Sequence, residues 1–279
     1  MNLKILCEKI CLPSQVSQQI LAFTSTFDCE KIKPILEKFY DSENFISAPT
    51  DLKEALLPDD NGIKTLSIML NQCLTTKHLY DNKGICEDVF FDTMKCFTRF
   101  VNEHFQSFGF YGFDRHWWTS RQIAMTLFRL GELEYEMYNY EGENAISIHI
   151  PSNCILKQEK LRESYFLAKD FFAKFYPDFA NARMFCHSWL LSPNLKELLN
   201  AQSNIVKFSN NFDIIKTDND STDFLAWVFK TENIDIKNKE QIKQLPQTTT
   251  LQKNIKEFIL DDKIFYNGLG FLKENPFVL

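Results

Sequence analysis

Residues 144–151 read Asn144-Ala145-Ile146-Ser147-Ile148-His149-Ile150-Pro151. Ile146, Ile148 and Ile150 point one way, and Ala145, Ser147 and His149 the other, which is the period of two of a half-buried strand. Pro151 lacks a backbone N–H, so the ladder is expected to stop there. Leu161, Tyr165, Ala168, Phe172 and Phe175 then recur at spacings of three and four, and Pro177 closes a helix. Arg183 to Leu191 reads as a second strand, with Ser192-Pro193 turning into another helix. A strand, a crossover helix and a strand make a parallel βαβ unit. His149 sits at the mouth of the first strand, on its less apolar face.

Upstream, Leu133, Tyr135 and Met137 alternate with Glu132, Glu134 and Glu136. This is a strand with an acidic face. Glu141-Gly142 follows, and a two-residue loop of this kind predicts an antiparallel hairpin with the His149 strand. In that register Glu134 lies opposite His149, and Glu136 opposite Ser147. Cross-strand partners share a face, so the carboxylates and the imidazole meet. A carboxylate beside an imidazole orients it and raises its basicity. Glu134 is the expected orienting partner.

The chain has 279 residues, 44% hydrophobic and 24% charged. That is enough for one large domain or two ordinary ones around a sizeable core. Most of the aromatic content is Phe, which reads as packing. A net charge of −6 argues against a general nucleic-acid binder, because neutralising phosphates needs a basic surface. The eight cysteines include no C-x-x-C pair and mostly sit in apolar helical patterns. They are expected to be free thiols in a reducing, cytoplasmic setting, and no metal is expected. Met1 to Leu12 has no continuous apolar core, and no run reaches the ~20 apolar residues of a membrane span.

From Met1 to about Ser107 the pattern is helical. Ser14 and Asp28 are candidate caps, Asp60-Asn61-Gly62 a turn, and a long helix starts near Cys86. Gly109-Phe110-Tyr111-Gly112 reads as a connector. The expected domains are therefore residues 1–112, helical, and residues 113–279, with mixed strands and helices: an α/β chain, α+β overall. Within Asp114 to Arg121, Trp117 and Trp118 cannot both face one core side, and they are candidate substrate contacts together with Glu136. Toward the C-terminus, Phe212 to Lys216 and Phe224 to Phe229 read as strands around a turn at Asp218-Asn219-Asp220. Glu232 to Gln244 reads as polar and exposed, and Ile264 to Leu272 as a last strand bent by Gly268 and Gly270.

Several segments resemble one known family: WWTSRQIAMTLFRLGELEYE at residues 117–136, SIHIPSN at 147–153, FFAKFYP at 171–177, CHSWLLSPNLKELL at 186–199, SNIVKFSNNF at 203–212 and LPQTTTLQKNIKEFI at 245–259. They resemble the two-domain acyltransferases with a helical N-terminal domain and a GNAT-like C-terminal domain, of which the teicoplanin-type glycopeptide N-acyltransferases are members. The resemblance covers about Phe113 to Gly270. It implies acyl transfer from a thioester carrier, usually acyl-CoA, to a small-molecule amine, with His149 at the general-base position. The Arg/Gln-x-x-Gly-x-Gly/Ala pyrophosphate loop of ordinary GNAT enzymes is absent, and Arg129-Leu130-Gly131 is too short to replace it.

Such chemistry makes demands that the residues can be checked against. The amine must lose a proton to a base of near-neutral pKa, which His149 supplies. Charge on the thioester oxygen needs donors, such as backbone N–H groups at a splayed strand, or Ser188. The carrier's phosphates need helix N-termini or cations. Ser188, Trp189, Ser203, Asn204 and Lys207 are the expected carrier contacts, with Arg183 and Lys253 behind them. Thr249 and Gln252 read instead as a capping box. Cys186 near His149 suggests a covalent route, against which stands a buried, inert thiol. The alternative function is a catalytically silent GNAT-like module that binds an acyl carrier or a protein partner.

Overall fold

The structure is a computed structural model that describes residues 1–219, 222–231 and 234–274. The described chain divides into two compact units, Met1–Leu130 and Gly131–Leu279.

The first unit contains α1 (Leu3–Lys9), α2 (Ser14–Thr26), α3 (Lys33–Lys38), α4 (Ala48–Ala55), α5 (Ile63–Lys83), α6 (Glu87–Phe108) and α7 (His116–Ile123), and ends in the short strand β1 (Leu127–Leu130). Its core follows the helical period. Leu66, Met69, Leu70, Cys73 and Tyr80 on α5 are fully buried, as are Phe90, Met94, Phe97 and Val101 on α6. Tyr80 meets Phe90 edge-on at 5.2 Å, a favoured aromatic geometry. Asp59 caps α5: its carboxylate accepts from Lys64 N, Thr65 N and Thr65 Oγ1, and Asn61 Oδ1 in the turn accepts from Ile63 N. Gly62 has φ +70°, and a Cβ there would collide with Phe113 O. Ser14 is the first residue of α2 and makes no cap hydrogen bond, whereas Asp28 caps a 3-10 turn through Glu30 N.

The division between units lies after Leu130, whereas sequence placed a boundary near Gly112. The reason is α7. It buries Thr119, Ser120, Gln122 and Ile123, and Thr76 Oγ1 donates to Ile123 O at 2.9 Å. Gly109 to Gly112 is thus a connector inside the first unit.

The second unit contains β2 (Leu133–Tyr140), β3 (Glu143–His149), α8 (Gln158–Phe175), β4 (Arg183–Ser188), α9 (Leu195–Leu198), α10 (Asn204–Ser209), β5 (Phe212–Asp218), α11 (Lys239–Gln244), α12 (Thr250–Leu260) and β6 (Asn267–Leu272). Its strands lie in the order β2-β3-β4-β6-β5. The β2–β3 hairpin turns through Glu141 (φ 55°) and Gly142 (φ 92°), two left-handed residues in succession, as a tight hairpin requires. β3 and β4 are parallel and α8 is their crossover, while β4–β6 and β6–β5 are antiparallel.

α8 covers one face of the sheet with Leu161, Tyr165, Ala168 and Phe172. Contact is close near Gly131, where an added Cβ would come within 3.2 Å of Ser164. Ser164 Oγ accepts from Leu133 N at 3.3 Å and lies 2.9 Å from Tyr135 Oη. Tyr135, and with it Ile148 and Ile146, therefore belongs to the α8 side. Glu134, Glu136, Ser147 and His149 take the other.

Three sequence expectations are corrected here. The Arg183–Leu191 strand ends at Ser188, because Ser188 Oγ accepts from Leu190 N and winds Trp189–Leu191 into a 3-10 turn. Phe224 to Phe229 is not a strand; Leu225–Phe229 forms a π-helical turn. Short apolar runs suit either structure, and the turn buries Leu225, Val228 and Phe229 together against Ile242, Ile255 and Phe258. The 232–244 stretch is not wholly exposed: Ile242 on α11 is fully buried, and buried Lys256 donates to Lys243 O and Leu245 O beside it. Asp220 and Glu232, which bounded two of these readings, lie outside the described residues.

Candidate active site

The hairpin register is that expected from the two-residue loop: Glu134 opposes His149 and Glu136 opposes Ser147. The hydrogen bond runs along the diagonal. His149 Nε2 lies 2.8 Å from Glu136 Oε2. Diagonal neighbours on one face are separated by ~7–8 Å at Cα, a gap that a glutamate and an imidazole together span. Glu136, read from sequence as a substrate contact, thus holds the imidazole, and Glu134 sits directly across from it. Both carboxylates are buried, Glu134 at 3% and Glu136 at 8% exposure, while the His149 side chain keeps 26% of its surface. A carboxylate buried on a sheet face costs free energy unless it is paired. The imidazole supplies such a pair and stays reachable.

His149 also lies where the sheet parts. β3 and β4 are in register at Ala145–Arg183, Ile146–Met184 and Ser147–Phe185. Beyond Phe185, β4 continues in register with β6 as far as Ser188 and Gly268. His149 is two residues past the last β3–β4 pair, on the limb that leaves the ladder.

The remaining expected site residues are placed as follows. Trp117 and Trp118 lie on α7 of the first unit, with rings 5.9 Å apart; Trp117 is half-exposed, and the Arg121 guanidinium stacks over Trp118 at 4.6 Å. Ser188 is occupied as a cap, and Trp189 packs against the cluster around Phe258. Ser203 Oγ caps α10 through Ile205 N, Asn204 is exposed and Lys207 half-buried. Arg183 stacks over the Phe271 ring at 3.6 Å, and Lys253 is exposed beside Glu257. Thr249 and Gln252 form the expected capping box. The residues that join β3 to α8 include Ile155, whose N–H donates to Glu132 Oε2 at 2.9 Å.

All eight cysteines are free thiols. Cys186 is fully buried on the α8 side, and that burial pushes its thiol far above the ordinary cysteine range. The thiolate is the nucleophilic form, so the sheet interior disfavours a covalent route. Cys186→Ala should leave kcat essentially unchanged per folded molecule. A loss of several orders of magnitude, with the melting temperature held, would make it the nucleophile.

His187 on β4 has a partner far from it in sequence. Asp218, read as part of a turn, ends β5 and places Oδ2 2.7 Å from His187 Nε2.

A helical unit followed by a mixed sheet that parts beside a carboxylate-held histidine has relatives. Residues 1–125 match the N-acyltransferase N-terminal domain, and residues 127–272 the GNAT-like C-terminal domain. The chain belongs to this two-domain N-acyltransferase family. No curated protein sequence matches it. Among solved structures it is similar to an acyltransferase in complex with decanoyl-CoA and teicoplanin, with TM-score 0.80 and 21% identity over 96% of this chain and 86% of that one. It is also similar to an acyltransferase in complex with CoA and 10C-teicoplanin, with TM-score 0.77 and 20% identity over the same shares, and to an acyltransferase mutant in complex with octanoyl-CoA, with the same values. At such identities the likeness concerns the fold.

Proposed function

We propose that this protein transfers an acyl group from acyl-CoA to the amine of a small-molecule acceptor, with His149 as general base and Glu136 as the group that holds it. The observation that carries the reading is the 2.8 Å contact between His149 Nε2 and Glu136 Oε2, placed where β3 and β4 leave one another. Membership of the N-acyltransferase family supports the reaction class. The decanoyl-, octanoyl- and unacylated CoA found with similar folds support the donor.

In this reading a thioester lies across the parted limbs. The amine nitrogen attacks the carbonyl carbon, and His149 takes the amine proton. Backbone N–H groups along the parted edges stabilise the oxyanion, as preorganised donors aimed where charge develops. Ser203, Asn204 and Lys207 at α10, with Ser188 at the end of β4 and Trp189 after it, are the proposed carrier contacts.

Isothermal titration with CoA, acetyl-CoA, octanoyl-CoA and decanoyl-CoA tests the donor. Saturable binding of acyl-CoA is expected, and no binding to any of the four would sink the proposal. Thiol release with glucosamine, glycylglycine and spermidine then tests transfer. The missing pyrophosphate loop favours one other reading, a silent acyl-carrier-binding module. That reading requires binding without turnover of any amine.

A further inference from the structure

His187 and Asp218 make a second imidazole–carboxylate pair, and its place in the sheet is specific. Ser147 and Phe185 are the last registered pair of β3 and β4. Two residues further along each strand stand His149 and His187. Partners in register share a face, and the period of two keeps these histidines on it. One face of the sheet therefore carries an imidazole on each limb, at the same distance beyond the point of parting.

No registered β3–β4 pair follows that point among the described residues, and a thioester needs room between strands. Each imidazole is held from outside the gap. Glu136 on β2 holds His149, and Asp218 on β5 holds His187 across β6. The His187 side chain is 47% exposed and that of Asp218 20%. Lys216 on β5, in register with Leu269 opposite His187, and Arg183 on β4, in register with Ala145, are charged groups on the same face.

Asn267, opposite Asp218 in the β5–β6 register, is a second observation. It is buried to 2% exposure, and its Oδ1 has no hydrogen-bond partner among the described residues. A buried acceptor without a donor is costly. Asn267 stands two residues from Leu269, the register partner of His187.

Acyl transfer needs two proton movements. The attacking amine loses a proton, and the departing sulfur gains one. We propose that His187, held by Asp218, is the general acid that protonates the leaving thiolate, an inference that rests on the acyl transfer assigned above. The new C–N bond forms at the carbonyl carbon and the C–S bond breaks, its electron pair going to sulfur. The amine proton passes to His149, and the His187 proton passes to the thiolate. The sum is an amide and a thiol from an amine and a thioester. Both imidazoles reach solvent and return to their starting states by exchange with water. Asp218 is a positioning residue that stabilises the charged imidazole.

Leaving-group dependence tests this directly. Wild type, His187→Gln and Asp218→Asn would be assayed with two octanoyl thioesters, one of N-acetylcysteamine and one of 4-nitrothiophenol. The acceptor would be whichever of glucosamine, glycylglycine and spermidine the wild type acylates fastest. The alkyl thiolate needs a proton to leave well, and the nitrothiophenolate does not. His187→Gln should cut kcat/KM on the alkyl thioester on the order of 10²-fold, the scale of general acid catalysis, and spare the aryl thioester. Asp218→Asn should show the same pattern, more weakly. An equal loss on both esters, or no loss on the alkyl ester in a protein with unchanged melting temperature, would overturn the assignment while leaving the acyltransferase reading intact. A wild type that acylates none of the amines would remove that reading and this inference with it.

Discussion

His149→Ala should lower kcat on the order of 10²–10⁴-fold, the usual contribution of a general base, and leave acyl-CoA binding nearly unchanged, because the base faces the amine and not the carrier. Raising the pH should partly rescue the variant, since an amine that is already deprotonated needs no base. Stability must be separated from catalysis here. The alanine removes the imidazole bonded to Glu136, a buried carboxylate, and losing a hydrogen bond to a charged group costs roughly 1.5–3 kcal/mol. Some loss of melting temperature is therefore expected with alanine even if His149 is the base. His149→Gln isolates the chemistry. Its amide still donates to Glu136, so the melting temperature should return toward wild type. It cannot take up the amine proton, so kcat should stay low. Full turnover in a folded His149→Gln protein would end the general-base proposal.

The sequence made this site partly legible, and for reasons that can be named. A two-residue loop at Glu141-Gly142 fixes the parity of the hairpin, so that the faces of Glu134, Glu136, Ser147 and His149 follow without coordinates. The crossover through α8 was equally readable, because Leu161, Tyr165, Ala168 and Phe172 keep a helical period up to Pro177. Which carboxylate bonds the imidazole was not readable. Register decides which Cα atoms oppose one another, whereas the hydrogen bond depends on rotamers, and Glu136 reaches along the diagonal to Nε2. The partner of His187, Asp218, lies 31 positions away. The two meet only because β6, the last strand in the chain, inserts between β4 and β5. No local pattern encodes that order. The run Phe224 to Phe229 failed for a further reason: its apolar residues suit a strand or a helical turn, and the neighbouring cluster of Ile242, Ile255 and Phe258 decided it.

Glu136→Gln carries the second large effect, and its direction follows from proton bookkeeping. An ionised carboxylate is an acceptor only. Paired with an ionised Glu136, a neutral His149 carries its proton on Nε2 and its lone pair on Nδ1, which takes the proton of the amine. A glutamine is uncharged and offers both an acceptor oxygen and an N–H, so it holds the imidazolium less firmly; where its N–H meets Nε2, the tautomer reverses, the proton moves to Nδ1 and the basic lone pair is spent on the amide. In the serine-protease template, the wrong tautomer alone costs about 10⁴-fold in kcat, which sets an upper bound for this more exposed imidazole. Glu136→Gln should thus approach the activity of His149→Ala, although the two side chains are nearly isosteric and the melting temperature should change little. Residues that act as a unit are not additive, so the double variant His149→Ala/Glu136→Gln should be no slower than His149→Ala. Glu134→Gln is the internal control. Glu134 lies opposite His149, whereas Glu136 is bonded to Nε2, and replacement of Glu134 should leave the tautomer in place, which nitrogen chemical shifts of the His149 ring report. A Glu136→Gln protein with wild-type kcat, or a Glu134→Gln protein that reverses the tautomer, would move the orienting role from Glu136 to Glu134.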